Sequence, residues 1–525
     1  MAKTGNPLRV YTLDGLPAEV VAVAFAKTSR VPDSFDDIAR ELSETDSSRF
    51  HEKWVIGYGH SSVAEHAVLS IAVENVSILG AKMLEENRLS SFTEKSTRYQ
   101  VMAASNYYTP PVFEGGRLGR VYRKAVAKLY RAYAELMPTA ERHCEDKYGN
   151  AECKEQGLNP AGKSCDAVRG LLPAAAKTNL GWTVNARALR HALVKMASSP
   201  LSEMRELAEA LTEVGRKQVP TLLKYTDASP YLQGWEERMS EAWVDEFICE
   251  EDAGDSDDLP LFVGAVEAPI VRQSLGAALE GAKPAPAVRL VEYDPTGERA
   301  VIAALLFREE GRPYGEIRRD VSSIERDEIG VLLSRALQGI GGHEAPVREF
   351  ESTAYTFEIT CDFGAYRDIQ RHRMTTQTQQ LLTCDLGFGI PTDAREAGVA
   401  ERMAEALEGV VPAWRELASA DPVSAQYVIP LAFRKRFLMQ MDFREAYQFV
   451  RLRSRVQGHE SYRRVAWAVK DEITRVHPEL GGLIPCDYAG SGREAEPAGD
   501  ADGAAGPAGD AAGDKTAEPS AVRRE

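Results

Sequence analysis

The chain has 525 residues, with 63 Lys and Arg against 79 Asp and Glu, a formal net charge of −16. A hydrophobic fraction of 44% with 27% charged residues suits a globular protein with a sizeable core, and the length suggests about three domains, or two large ones and a tail. The acidic balance argues against a nucleic-acid partner, no apolar run is long enough to cross a bilayer, and the opening MAKTGNPLRVYTLDG lacks a signal peptide's apolar core, so a cytoplasmic protein with no membrane partner is expected.

In chain order, residues 59–88 (GHSSVAEHAVLSIAVENVSILGAKMLEENR) contain an apolar alternation over 68–73 that predicts a half-buried strand, then a helical stretch ending in polar residues. The loop over 87–99 sets Ser96 and Arg98 two residues apart beside Tyr99. Such a pair can grip a phosphate, or can simply furnish turn chemistry at the surface. Cys144, Cys153 and Cys165 fall close together, but without CxxC spacing or a completing histidine pair. They read as structural or surface thiols of a reducing compartment, with no metal site. Residues 157–164 (GLNPAGKS) satisfy the phosphate-loop pattern GxxxxGK[ST], which needs a buried strand feeding it and a helix after it. The preceding NAECKEQ is too polar for that strand, which favours an insertion loop. A Leu-Leu-Pro strand end at 171–173 leads to a helix over about 183–197, with Arg187 and His191 on one face.

Composition breaks at 249–259 (CEEDAGDSDDL) and 281–287 (GAKPAPA) divide the chain. Domains are placed at 8–245 and 288–485, joined by an acidic and Pro/Ala linker at 246–287 and followed by a disordered tail at 486–525. Residues 490–525 carry 4 basic and 8 acidic groups and almost nothing apolar larger than Ala, so they cannot offset their ordering entropy.

The second half repeats the first. GHEAPVREFESTAYTFEITCDFGAYRDIQRHR (342–373) lies beside 59–88, matching Gly342-His343 to Gly59-His60, and Glu358 with Gly364 to Glu74 with Gly80. Residues 355–359 again predict a strand. A period of about 280 residues is a duplicated domain rather than a solenoid, whose repeats run ~20–50. Arg371-His372-Arg373 closes the helical stretch, with Arg367 one turn back. Clustered cations facing an interior call for phosphate, carboxylate or a flat heterocycle; a solvated helix end is the plain alternative. A Val-Ile-Pro strand end at 428–430 leads to a helix over about 441–456. Arg444 and Gln448 share one face of it, and Arg453 lies about 180° around from Arg444. Functional groups on both faces, with Phe443, Phe449 and Val450 opposing exposure, suggest a helix shared between two sites at an oligomer interface. The basic stretch over 451–464 reads as a solvated helix face rather than a nucleic-acid contact.

Together these pieces resemble the flavin-dependent thymidylate synthases, as two tandem copies over roughly 8–240 and 288–480. The resemblance implies an α+β fold in which each copy packs a small sheet with long helices. In the first copy it puts His60, Ser62 and Arg187 at FAD, and Glu94, Ser96, Arg98 and Arg169 at dUMP. The Arg-His-Arg triplet there has become Glu86-Asn87-Arg88, and the Arg that polarises the uracil falls at Met196 or at best Lys195. The second copy keeps the flavin-side Arg371, His372 and Arg373, with His343 and Arg444, and a catalytic Arg453. Its nucleotide loop has Leu381 and Thr383 for the gripping Ser and Arg, and Gln426 for Arg169.

The implied reaction is reductive methylation of dUMP to dTMP with bound FAD, methylenetetrahydrofolate and NADPH as co-substrates, and no cysteine nucleophile. Complementary losses suggest that two chains form a homodimer shaped as a pseudo-tetramer. Nucleotide groups of N-terminal copies would there meet Arg371, His372 and Arg453 of C-terminal copies. The alternative is a degenerate relative that binds flavin or nucleotide without making dTMP; an ATPase resting on 157–164 is a third reading.

Overall fold

Two small antiparallel sheets, one in each half, organise a helix-rich α+β structure. The computed structural model describes residues 9–42, 44–57, 61–102, 106–235, 238 and 287–489. The expected linker up to residue 286, the tail from 490, and His60 lie outside the described residues. Among the described residues no helix is long and apolar enough to cross a membrane.

The first sheet has strand order β1-β3-β2, from β1 (Val68–Ser77), β2 (Ser90–Glu94) and β3 (Lys177–Asn185). Alternation in β3 turns Leu180, Trp182 and Val184 into the core. The second has order β4-β5-β7-β6, from β4 (Val288–Tyr293), β5 (Ala354–Asp362), β6 (Thr376–Gln379) and β7 (Arg434–Asp442). Helix caps fix the equivalence of the halves. Asn185 and Asp442 end β3 and β7 and accept from Ala188 N and Glu445 N, starting the helices Ala186–Ala197 and Phe443–Arg453. Ser77 and Asp362 likewise cap Ile78–Glu85 and Phe363–Ile369. Both later helices therefore begin after the expected 183 and 441, because 183–185 and 441–442 complete strands.

Register also corrects the matching of glutamates. Ala72 faces Gly181 and Glu358 faces Leu438, so Ala72, not Glu74, is the counterpart of Glu358. The offset arises at Asn75, a left-handed residue (φ 60°) in a bulge between Val73 and Val76. Past the caps the matching realigns Glu86-Asn87-Arg88 with Arg371-His372-Arg373.

The Leu-Leu-Pro and Val-Ile-Pro segments are not strand ends. Each begins as a 3-10 turn, Arg169–Leu171 or Gln426–Val428, and the two then run antiparallel across each other. Ala174 N donates to Ile429 O (2.8 Å), Ala175 N to Tyr427 O (2.9 Å), Leu431 N to Leu172 O (2.9 Å) and Ala432 N to Gly170 O (2.9 Å). Pro173 and Pro430 pair at the centre, where neither needs an N–H. This strut joins the halves, and buried side chains from both form one continuous apolar cluster. The 33-residue helix Gly116–Tyr148 packs on Ala400–Glu408 and Val411–Ala418 of the other half.

The 157–164 segment is fed by a helix, Ala151–Glu155, rather than a strand. Asn159 caps Pro160–Val168, and Lys163 Nζ donates to Gly458 O at 3.4 Å. This removes the geometry on which the ATPase reading stood. Cys144 and Cys165 are buried free thiols, pushed by burial to about 12 and about 11 respectively.

Candidate active site at the seam between the halves

The loop after β2 leaves the first sheet at Glu94 and meets the helix Phe363–Ile369 of the second half. Asp362 caps that helix at its start, which carries Arg367 and Asp368 in its last turn and Arg371-His372-Arg373 just beyond. Two ion networks form where they meet. In the first, Arg367 Nη2 donates to Glu94 Oε1 at 2.6 Å and its Nη1 to Thr97 Oγ1 at 3.1 Å. Arg371 Nη2 donates to Glu85 Oε1 at 2.8 Å, and Lys82 bonds Glu85 and lies 3.3 Å from Glu94. In the second, Arg98 holds Asp166 through Nε and Nη2 at 2.7–3.0 Å. Arg169 lies 3.4 Å from Asp166 and 4.0 Å from Asp368, and Arg453 lies 3.8 Å from Asp368. Each network sets three cations against two carboxylates.

The electrostatics follow from burial and pairing. Burial alone would raise the Glu94 carboxyl, but Arg367, Lys82 and Arg371 outweigh it and hold the group at about 2. Asp166 is likewise held at about 2 against its burial, by Arg169, His459 and Arg98. Burial pulls Lys82 down to about 7. Asp368 is depressed too, with Arg169 and Arg453 overcoming desolvation.

Between the networks lies a cleft of about 70 Å³ lined by Ser96, Arg98, Arg169, Arg367, Asp368 and Arg371 among others. Two buried donors there, Arg169 Nη2 and Arg367 Nε, have no hydrogen-bond partner among the described residues. Unmet buried donors are costly, so they mark a place prepared for an acceptor. Arg98 is nearly saturated: besides Asp166 it donates to Tyr462 Oη (3.2 Å) and Gln457 O (2.8 Å). One of its five N–H groups is left.

Arg371 also lines a groove of about 850 Å³, with Arg88, Ser91 and Asn185 from the first half and His372, Arg373, Glu445 and Arg453 from the second. His372 Nε2 accepts from Arg453 Nε at 3.0 Å, so its Nδ1 carries the proton shared with Glu445 Oε1 at 2.8 Å. Burial lowers the His372 imidazole below its ordinary value, which keeps it neutral. Arg373 Nη1 donates to Arg88 O at 3.3 Å, another link across the seam.

Of the residues singled out from sequence, the structure gathers Glu94, Ser96, Arg98, Arg169, Arg371, His372, Arg373 and Arg453 at this seam, within one chain rather than between two. Four others line neither the cleft nor the groove, although Glu65, the partner of Arg187, does line the groove. Ser62 is exposed on the turn Ser61–His66, and Arg187 pairs with Glu65 at 2.5 Å. His343 is exposed, and Arg444 donates to Pro346 O (2.7 Å) and Glu351 (3.1 Å). Sequence reasoning missed Lys82, Glu85, Asp166, Asp368 and Glu445. Two of these could have been found: Asp166 precedes Arg169 by one helical turn, and Lys82 becomes the counterpart of Arg367 once the strand register is known.

The position related by the internal duplication is filled differently. Glu86 is bonded by Lys195 and Gln379, and Gln426 Oε1 accepts from Leu382 N at 3.0 Å. Leu381 and Thr383 bring no cation there.

A two-sheet α+β fold with paired halves and a cationic seam is that of a duplicated domain. The chain belongs to the thymidylate synthase complementing protein family, which it matches over residues 12–221 and again over 289–479. Along nearly its whole length it is similar to a UPF0159 protein of Chlamydia muridarum, 30% identical over 91% of this chain and 92% of the relative. A UPF0159 protein of Thermoplasma acidophilum is 26% identical over 85% and 89%. A flavin-dependent thymidylate synthase of Clostridium tetani is 29% identical, covering 41% of this chain and 83% of its own length.

Proposed function

We propose that this chain is an FAD-dependent thymidylate synthase that methylates dUMP reductively to dTMP, with methylenetetrahydrofolate as carbon donor and NADPH as reductant. One observation carries the reading: the loop with Ser96 and the Arg-His-Arg turn, each kept by only one half, line the same cleft in a single chain. The groove suits a flavin in chemistry and size, since Arg88, Arg371 and Arg373 face it and small-molecule sites span about 300–1,000 Å³. These arginines and His372 would hold FAD, which in reduced form supplies hydride to the pyrimidine. Ser96, Arg169 and Arg367 would hold the dUMP phosphate, two of them with donors otherwise unmet, while Arg98 and Glu94 shape the loop. Arg453 would stabilise negative charge growing on the uracil, in a direction set by His372.

Ser62, Arg187, His343 and Arg444, with His60, would serve sites completed by a second chain, in a homodimer of four family domains. A second reading, a binder of flavin or nucleotide that makes no dTMP, draws on one observation: Asp166 already occupies Arg98. Two measurements test the assignment. The purified protein should be yellow and release FAD on denaturation, and its gene should rescue a thymidine-requiring host. A colourless protein overturns the flavin assignment, and a yellow one that fails to rescue while soluble supports the binder.

A further inference from the structure

A second cavity, of about 550 Å³, lies where the loop 386–391, the end of β5, the start of β7 and the start of the helix Glu460–Val476 meet. Apart from residues 166–170, its lining comes from the second half. Among the lining residues five arginines stand against three carboxylates, a surplus of two positive charges in a chain of net −16. All three carboxylates are engaged. Asp166 is held by Arg98, Asp362 accepts from Ala365 N (2.8 Å) and Ser461 Oγ, and Glu460 accepts from Thr392 N (3.0 Å). The arginines of the second half are not. Arg434 makes one hydrogen bond, to Leu386 O at 3.2 Å, and Arg464 lies 3.6 Å from Glu460. The side chains of Arg395 and Arg436 have no hydrogen-bond or ion-pair partner among the described residues, and the Nε of Arg436 is buried. A buried N–H left unmet costs free energy, so it marks a position kept for an acceptor. The fold itself does not demand this cation. In the first half, matched through the strand-end caps Asn185 and Asp442, the counterpart of Arg436 is Asn179, whose Oδ1 accepts from Asn75 N at 3.0 Å.

Guanidinium forks hold oxyanions through paired N–H groups, and several unpaired ones together ask for more charge than one carboxylate carries. Beside them Ile390, Leu431 and Val465 give the cavity an apolar side, and its volume falls within the range of small-molecule sites. We propose that this cavity is a second binding site, for a small organic polyphosphate. Its phosphoryl oxygens lie on Arg434, Arg436 and Arg464, and its organic body lies against Ile390, Leu431 and Val465. The site is independent of the synthase reading, because none of these six residues lines the cleft or the groove.

Calorimetric titration of the full-length protein with dTTP, tripolyphosphate and citrate tests this, in the wild type, Arg436→Leu and Arg434→Gln. In excess dUMP, which fills the cleft, the wild type should still bind dTTP at one site per chain. Tripolyphosphate, which lacks an organic body, should bind about tenfold or more weakly than dTTP, and citrate, a polycarboxylate, more weakly still. Each variant should lose about tenfold or more of the dTTP affinity. Arg436→Leu should melt no lower than the wild type, since it removes an unmet donor. Weaker binding accompanied by a lower melting temperature in both variants would assign the arginines to the fold and overturn the proposal. Displacement of dTTP by dUMP, which would put the polyphosphate in the cleft, overturns it too. So does a wild type that binds no dTTP, or dTTP binding unchanged in both variants. Citrate binding as tightly as tripolyphosphate overturns the choice of phosphate. A protein that binds dTTP at these arginines and makes no dTMP keeps this site and loses the synthase reading.

Discussion

At the scale of single residues, the direction of Arg453 is inherited. Glu445 accepts the hydrogen bond of His372 Nδ1–H, which leaves Nε2 as the acceptor for Arg453 Nε. Protonating His372 would remove that acceptor and set two cations against each other. Its imidazole sits below the ordinary value, so activity should fall on the acid side with a midpoint below about 6.5. The sign for stability is the same. Between the two values the unfolded state binds a proton that the folded state refuses, so stability declines as pH drops from the ordinary value to the lowered one, and then levels. Glu445→Gln should lower kcat by about tenfold or more and leave dUMP affinity within about threefold, because it loosens Arg453 rather than the phosphate grip. Steady-state kinetics across pH with the variant and wild type checks both statements. Neither Glu445 nor Asp368 was legible as a site residue in the sequence, since each sits beside an arginine that drew attention first.

At the scale of elements, the strut between the halves leaves little room beside Gly170. A Cβ on Gly170 would come within 2.8 Å of Met403 Cε and 3.1 Å of the Ala432 Cβ. Gly170→Val should cost about 1–3 kcal/mol and displace Arg169 next to it, which thermal unfolding together with dUMP binding would reveal. Asp442→Ala removes the cap of Phe443–Arg453 and should cost about 1 kcal/mol, with a fall in kcat because that helix carries both Glu445 and Arg453. The strands at 68–73 and 355–359 were readable from alternation, and both helices after β3 and β7 from their matching places in the two halves. Their starts were not, because Asn185 and Asp442 look like ordinary polar residues until a free helix end is seen above them. Leu-Leu-Pro and Val-Ile-Pro resemble strand ends in sequence, because a proline closing an apolar run gives no sign that the run pairs with its own duplicate.

At the scale of the whole molecule, the seam binds acid sensitivity to function. Glu94 and Asp166 sit at about 2, below the ordinary carboxylate values, so their stabilisation is full above about 4 and is lost as pH falls through about 2. Denaturant melts from pH 5 down to 2 should show stability falling over that window, less steeply in Glu94→Gln. A flat profile would mean that these pairs contribute nothing net. The tandem family domains were legible because charged signatures survive in both halves. Their meeting inside one chain was not, since Arg98 bonds Tyr462 364 residues away and Arg371 bonds Glu85 286 residues away. Sequence order alone does not distinguish such a contact from one between subunits.

That distinction can be measured directly. Arg169→Gln damages the first half's share of the cleft, and Arg453→Gln damages the second half's. Each variant alone should be inactive. Co-expressed with two different tags and purified through both, the proposed homodimer would contain one chain of each. With the site built within a chain, every cleft in that mixture carries a lesion and dTMP formation stays absent. Recovery of a sizeable fraction of wild-type activity would show the two halves of different chains completing one another, and would contradict the single-chain seam.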